Sequence, residues 1–124
     1  MNINDNNINS LINKNYRNIS LEAEVQKDIL TLLTLMDIER FRINVMKAKT
    51  SSGRLVSSGV KPGFPDIFGY TNKGNIFFVE VKRPDGKGKQ SKEQIEFELN
   101  ANKHGAIYIL ANHPKQVYDK LKGI

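Results

Sequence analysis

The chain has 124 residues, no cysteine and a formal net charge of +6. This length predicts one domain, and the absence of cysteine excludes disulfides and zinc sites built on thiolates. No apolar run approaches the roughly 20 residues that span a bilayer, and the N-terminus lacks the features of a signal peptide. We therefore expect no association with membranes and a location in the cytoplasm. The basic charge favours nucleic acid as a partner, although many small basic proteins bind nothing acidic.

The first part of the chain predicts an arm and a helix. Residues 1–19 are rich in asparagine, which favours turns over helix. We interpret them as an N-terminal arm that is partly disordered or loosely docked. The domain proper then spans residues 20–124. Ser20 is a suitable N-cap for a helix over residues 21 to about 36, in which apolar residues recur at helical spacing.

The segment after this helix predicts one strand and a long loop. Residues 41–46 alternate between apolar and polar side chains, as in a half-buried strand. Residues 47–63 are polar and rich in serine, glycine and lysine, which indicates a loop. A loop of this length in a compact domain is typically a binding loop or a lid.

The second half of the chain contains the other predicted elements. The strand at 76–82 is nearly continuous in apolar residues, so we expect it at the centre of a sheet. Ser91 and Gln94 form a capping box for the following helix. In order, we predict a strand at 65–70, a hairpin turn at 72–75, the strand at 76–82, a helix at 91–103, a strand at 106–111 and a helix at 114–121. These elements predict an α/β domain with a mixed sheet flanked by helices, in the order α-β-β-β-α-β-α.

Two charged residues lie on the most apolar strand. Glu80 and Lys82 are two positions apart, so both point to the same face of the sheet. Such a pair is more often simply exposed at a sheet edge, because burial without partners is costly. Asp66 could likewise be an ordinary turn residue after proline. However, the hairpin brings its strand beside that of Glu80, and two carboxylates near a lysine suit a hard divalent cation such as Mg²⁺.

Glu22 is a further candidate on grounds of helical geometry. At 100° per residue it lies in the sector of the apolar stripe, while Glu24 lies nearly opposite. On that side it could be an additional metal ligand, but an acid in a first helical turn is favoured wherever it points. Gln26, one turn further on, could support the same site. Acids at the centre of a basic protein suit phosphodiester cleavage better than binding alone, because bare carboxylates repel phosphate.

These residues belong to an ordered set of short motifs. The set consists of Glu22-Ala-Glu-Val-Gln26, Arg42-Ile-Asn44, Gly63-Phe-Pro-Asp66, Glu80-Val-Lys82, Gly86-Lys87, Ser91-Lys-Glu-Gln94 and Gly105-Ala106. The ordered set resembles the VRR-Nuc (virus-type replication-repair nuclease) family of the PD-(D/E)xK nuclease superfamily. The resemblance covers about residues 20–111, nearly the whole chain apart from the asparagine-rich arm.

The resemblance implies a restriction-endonuclease-like fold and a metal-dependent DNA endonuclease. Asp66, Glu80 and the carbonyl of Val81 would be ligands of Mg²⁺ or Mn²⁺. Glu22 would serve a second metal or the attacking water, and Lys82 would assist that water. The resemblance also implies a homodimer that resolves four-way DNA junctions in the cytoplasm of a bacterial or phage-infected cell.

Gln94 and several basic residues are secondary candidates. Gln94 matches a glutamine that follows the motif in this family, although its place in the capping box is sufficient to explain it. Basic residues that flank the proposed site in sequence are candidates for contacts with the DNA backbone, although solvated lysines often have no role. They are Lys47, Lys49, Arg54, Lys61, Arg83, Lys87 and Lys89. His104 and His113 are too isolated to be proposed as ligands.

Two alternative functions are compatible with the same residues. A monomer of this size would nick flaps or duplex ends, because symmetric cleavage of a junction needs two active sites. A non-catalytic DNA-binding module with a nuclease-like fold is the alternative from a different functional class. The intact set of acids argues against it, since a pure binder gains nothing from carboxylates that face phosphate.

Overall fold

A computed structural model of the chain describes residues 3–17, 20–43 and 60–124, together with the backbone of residues 47–49 and 55–57. The elements in chain order are α1 (Ile3–Ile12), α2 (Glu22–Leu35), β1 (Glu39–Arg42), β2 (Lys47–Lys49), β3 (Leu55–Ser57), β4 (Ile67–Tyr70), β5 (Ile76–Val81), α3 (Lys92–Lys103), β6 (Ile107–Ala111) and α4 (Pro114–Leu121). The chain is therefore α/β, as its sequence predicts.

Four strands form one mixed sheet in the order β1-β4-β5-β6. β4 and β5 are the antiparallel arms of the predicted hairpin, and β1 adds to β4 in antiparallel orientation. β6 is parallel to β5, which confirms α3 as the crossover between them. The strand predicted to be central is flanked on both sides, and its apolar sequence is explained by burial on both faces.

The two faces of β5 are covered by different helices. Phe77, Val79 and Val81 are fully buried in the main core, together with apolar residues of α2 and α4. The opposite face contacts α3, where the rings of Phe78 and Phe97 lie 4.9 Å apart between centroids. Because side chains alternate along a strand, Glu80 lies on the face of Phe78 and not in the main core.

The N-terminal arm contains a helix that the sequence did not predict. Residues 3–12 form helix α1, whose Ile8, Leu11 and Ile12 pack against the core cluster, although none of the residues of α1 is fully buried. Tyr16 then donates a hydrogen bond of 2.7 Å to Asp28 on α2. Asparagine-rich sequence has little intrinsic helix preference, so tertiary packing of three apolar residues explains this helix.

Two further expectations are corrected. The segment at 47–63 was predicted to be a loop, but β2 and β3 pair within it as a separate antiparallel hairpin. The N-cap of α2 is Leu21, which supplies no side-chain hydrogen bond. Ser20 instead accepts a hydrogen bond from the backbone N–H of Arg17.

The length and apolar character of the helices decide whether any of them could span a membrane. Across residues 3–17, 20–43 and 60–124, no helix is both long enough and apolar enough to cross a bilayer.

Candidate active site

Asp66 lies at the entrance of β4, directly after a tight turn. Gly63 in this turn has a φ of +87°, a left-handed conformation that favours glycine. The carboxylate Oδ2 of Asp66 accepts a hydrogen bond of 2.8 Å from the backbone N–H of Val81. Its backbone carbonyl accepts another, also of 2.8 Å, from the N–H of Ile43. Asp66 is thus held between Ile43, which directly follows β1, and Val81, at the end of β5.

Glu80 is buried in spite of its charge, with only 3% of its surface exposed. Its Oε1 accepts a hydrogen bond of 2.8 Å from the side-chain amide of Gln94 on α3. Its Oε2 is buried and has no hydrogen-bond partner among the residues that the structure describes. A buried carboxylate oxygen without a donor is costly, so this atom indicates a place where a cation or a proton would bind.

Lys82 follows β5 and lies beside the same carboxylate. Its Nζ is 3.7 Å from Oε1 of Glu80, and its side chain is only 13% exposed. The ammonium also donates to Oε1 of Gln94, at 2.9 Å, and to the backbone carbonyl of Lys89, at 3.2 Å. The loop between β5 and α3 therefore folds back over Lys82 and fixes its position.

Gln94 has two roles at once in this arrangement. It completes the predicted capping box, in which Oε1 accepts from the backbone N–H of Ser91 while the backbone N–H of Gln94 donates to the Ser91 hydroxyl. The same side chain bridges Glu80 and Lys82. The capping role and the site role, which the sequence presents as alternatives, are thus compatible.

The carboxylates of the site affect each other's ionisation. Burial and then the neighbouring charge of Asp66 raise the pKa of Glu80, while Lys82 acts in the opposite direction. Burial also raises the pKa of Asp66, against the lowering effects of the Val81 N–H and of Lys82. Burial is the largest cause for both, because desolvation disfavours the charged form of a carboxyl group, and at Glu80 the charge of Asp66 adds to it.

Glu22 and Arg42 lie at the periphery of this pair. Burial and then the charge of Asp66 raise the pKa of Glu22, while Lys82 and Arg83 act in the opposite direction. Arg42, at the end of β1, lowers the pKa of Asp66. The sequence offers Arg42 only as part of a motif, and its proximity to Asp66 follows from the pairing of Arg42 with Ile67 across β1 and β4.

The carboxylates of the site meet the usual ligand requirement of a magnesium or manganese ion, but they do not form a larger cluster of ligands. Within the described segments, no three His, Cys, Asp or Glu side chains form a group that could hold a metal. Mg²⁺, however, usually keeps several waters and binds one or two carboxylates. Asp66 and Glu80, with the unpartnered Oε2, match that smaller requirement, whereas the role of Glu22 as a ligand stays a prediction.

Of the basic residues predicted to contact DNA, Arg83, Lys87 and Lys89 lie in the loop between β5 and α3, beside Lys82. Arg83 forms an ion pair of 2.6 Å with Asp85, and the backbone N–H of Lys87 donates to the same carboxylate. Lys61 lines a cavity of about 320 Å³ beside α3, together with Glu93 and Glu96. Lys47 and Lys49 belong to β2, while Arg54 lies outside the described residues.

The two histidines have structural partners. Nδ1 of His104 lies 2.8 Å from the carbonyl of Asn100. His113 caps α4 through the backbone N–H of Lys115, and its Nε2 lies 2.8 Å from the carbonyl of Lys14. Neither contact involves the carboxylate pair.

Comparison of the chain with models of protein families, with curated proteins and with solved structures finds no significant match.

Proposed function

We propose that the chain is a metal-dependent DNA endonuclease with a PD-(D/E)xK fold of the VRR-Nuc type, whose active site comprises Asp66, Glu80 and Lys82. The observation that carries the proposal is the buried Glu80, with its unpartnered Oε2, beside the half-buried Asp66. A basic chain with net charge +6 would approach DNA readily. Its buried acids need a counter-charge before a phosphate can come close.

The chemistry proposed is hydrolysis of a phosphodiester bond, in which a water oxygen attacks phosphorus and a P–O bond to the sugar breaks. Bound Mg²⁺ or Mn²⁺ would supply Lewis acidity and lower the pKa of a coordinated water. Asp66 and Glu80, with the carbonyl of Val81, would hold that ion. Lys82 would orient the water or stabilise negative charge that develops on the phosphate. Gln94 would hold the side chains of Lys82 and Glu80 in fixed positions relative to each other through its two hydrogen bonds.

The preferred DNA is proposed to be a four-way junction, cut by a homodimer. This part of the proposal follows from the motif resemblance and from symmetry, since paired cuts need two active sites. Flap or duplex-end nicking by a monomer is the competing outcome. Sedimentation of the free protein would separate the two, because a monomer and a dimer differ twofold in mass.

The decisive experiment is cleavage of a labelled four-way junction beside flap and linear duplex controls, with Mg²⁺, Mn²⁺ or EDTA. We expect Lys82→Ala and Asp66→Ala to reduce metal-dependent cleavage by about 100-fold or more, as for loss of a group that stabilises transition-state charge. Lys103→Ala, on the exposed end of α3, is the matched control and should retain cleavage. Full activity of Asp66→Ala and Glu80→Ala would disprove the proposal. Binding without cleavage under any metal would favour a non-catalytic binding module.

A further inference from the structure

A second basic feature lies between α2 and β1, on the opposite side of the sheet from α3. It is a groove of about 430 Å³ whose lining includes Lys27, Arg40 and Arg42 and no acidic residue. β1 is an edge strand of the four-stranded sheet, so within the described residues no further strand pairs with its outer edge. The sequence did not predict any of these three cations as a DNA contact.

The three cations are available to an external anion. Within the described residues, the ion pairs of the molecule involve other side chains, and Lys27, Arg40 and Arg42 have no carboxylate within ion-pair distance. Arg40 is held in place by a hydrogen bond of 2.5 Å to the hydroxyl of Thr34. A guanidinium fixed by a neutral partner keeps its full charge for a ligand.

One end of the groove is lined by residues that adjoin Glu22 on α2. Ala23 and Gln26 line it, and they lie directly after Glu22 and one turn beyond it on α2. At the same end, Arg42 is close enough to Asp66 to lower its pKa. From Glu22 to Thr34 the helix rises by roughly 18 Å, which is enough for several nucleotides of one strand.

We propose that this groove binds the phosphate backbone of one DNA strand as it leaves the carboxylate pair. Lys27 and Arg40 contact phosphates along the groove, and Arg42 contacts the phosphate nearest to Asp66. Such contacts position DNA without reading its bases. The direction of the strand relative to the scissile bond rests on the proposed function, whereas occupation of the groove by DNA does not depend on cleavage.

The first test measures binding in EDTA, where no metal-dependent cleavage occurs. Fluorescence anisotropy of a labelled duplex with a single-stranded tail is recorded over a range of salt concentrations. The Lys27→Gln/Arg40→Gln double variant is compared with Lys103→Gln/Lys120→Gln, which removes the same charge from exposed positions on α3 and α4. We expect the groove variant to bind more weakly and its slope of log K against log salt to be smaller by about 1.4–1.8, which corresponds to two lost phosphate contacts. The control variant should keep the wild-type slope.

A second test leaves the basic residues intact and so does not depend on the folding of the double variant. Because the chain has no cysteine, a photoactivatable cross-linker can be attached at a single introduced thiol. We expect Thr31→Cys, in the groove, to cross-link DNA efficiently, and Asn102→Cys, on exposed α3, to cross-link it at least several-fold less.

The outcomes separate this inference from the proposed function. Equal slopes for the groove and control variants, equal cross-linking from both thiols, or no wild-type binding to DNA would overturn the groove as a DNA site. Reduced binding and strong cross-linking in the groove, without cleavage under any metal, would support the groove and overturn the nuclease.

Discussion

Gln94 connects the helix cap of α3 to Glu80 on β5 and to Lys82 just after it, and its two roles can be separated by mutation. We expect Gln94→Ala to lower cleavage by about 10- to 100-fold, as for loss of a residue that orients catalytic ligands. Ser91→Ala is the matched control, since it removes the cap but leaves the amide beside Glu80 and Lys82. It should cost about 1 kcal/mol of stability and leave cleavage unchanged. Cleavage rates and urea denaturation of both variants measure this, and equal cleavage by the two would assign Gln94 to the cap alone.

Glu80 should control how the stability of the metal-free protein depends on pH. Burial and the charge of Asp66 raise its pKa to about 8 from the ordinary value of 4.5. Between these values the folded protein binds a proton that the unfolded chain releases, so the free energy of unfolding should fall as pH rises from about 4.5 to about 8. Glu80→Gln, which is neutral throughout, should lack this fall and be more stable by a few kcal/mol at high pH, at about 1.4 kcal/mol per pKa unit.

Urea denaturation in EDTA at about pH 5 and about pH 9 tests this dependence. Glu96→Gln, at an exposed position of α3, is the control and should behave as the wild type. If stability depends on pH in the same way in the wild type and in Glu80→Gln, then the pKa of Glu80 is not raised in the folded protein.

At the scale of elements, sequence patterns that act within a few residues were sufficient to predict the local structure. The hairpin turn, the apolar run of β5 and the capping box of α3 each specify structure within a few residues, and all three are confirmed. Together with the two-residue spacing of Glu80 and Lys82, they were enough to place these residues on one face. The convergence of Asp66 on Glu80 follows from the register, which pairs Ile67 with Val79.

The elements that the sequence missed depend on distant contacts. Helix α1 has little intrinsic helix preference because it is rich in asparagine, and it packs through Ile8, Leu11 and Ile12 onto a core built by residues far along the chain. The position of Arg42 beside Asp66 depends on the pairing of β1 with β4, which no turn signal specifies. The groove between α2 and β1 could not be predicted for the same reason.

Gly63 sets the distance between the turn that carries Asp66 and the start of α3. A Cβ at Gly63 would lie 2.5 Å from the backbone carbon and oxygen of Glu93, the residue before Gln94. We expect Gly63→Ala to displace α3 from the site, and so to lower both stability and cleavage. Gly74→Ala is the matched control, because its φ of +81° imposes similar backbone strain with no atom within 4 Å.

The difference in stability between these two variants measures the cost of the contact with Glu93, because the cost of backbone strain at a positive φ is similar in both. Overpacking typically costs about 1–3 kcal/mol, so Gly63→Ala should be less stable than Gly74→Ala by that amount, and only Gly63→Ala should cleave more slowly. Thermal melting and cleavage assays provide both readouts. If the two variants lose equal stability and keep equal cleavage, the contact with Glu93 does not hold α3 in place.

At the scale of the whole molecule, the proposed metal site at Asp66 and Glu80 would link metal binding to folding. A cation that binds only the folded state stabilises it by about 2.7 kcal/mol at 100 times its dissociation constant, so we expect Mg²⁺ or Mn²⁺ to raise the melting temperature by several degrees. The rise should be larger at higher pH, because the ligands must lose their protons first, and it should disappear in Asp66→Asn and Glu80→Gln. Asp119→Asn, an exposed acid on α4, should respond as the wild type does. Melting curves at matched ionic strength measure this, and an equal rise in all four proteins would mean that the cation acts on the surface charge and not on Asp66 and Glu80.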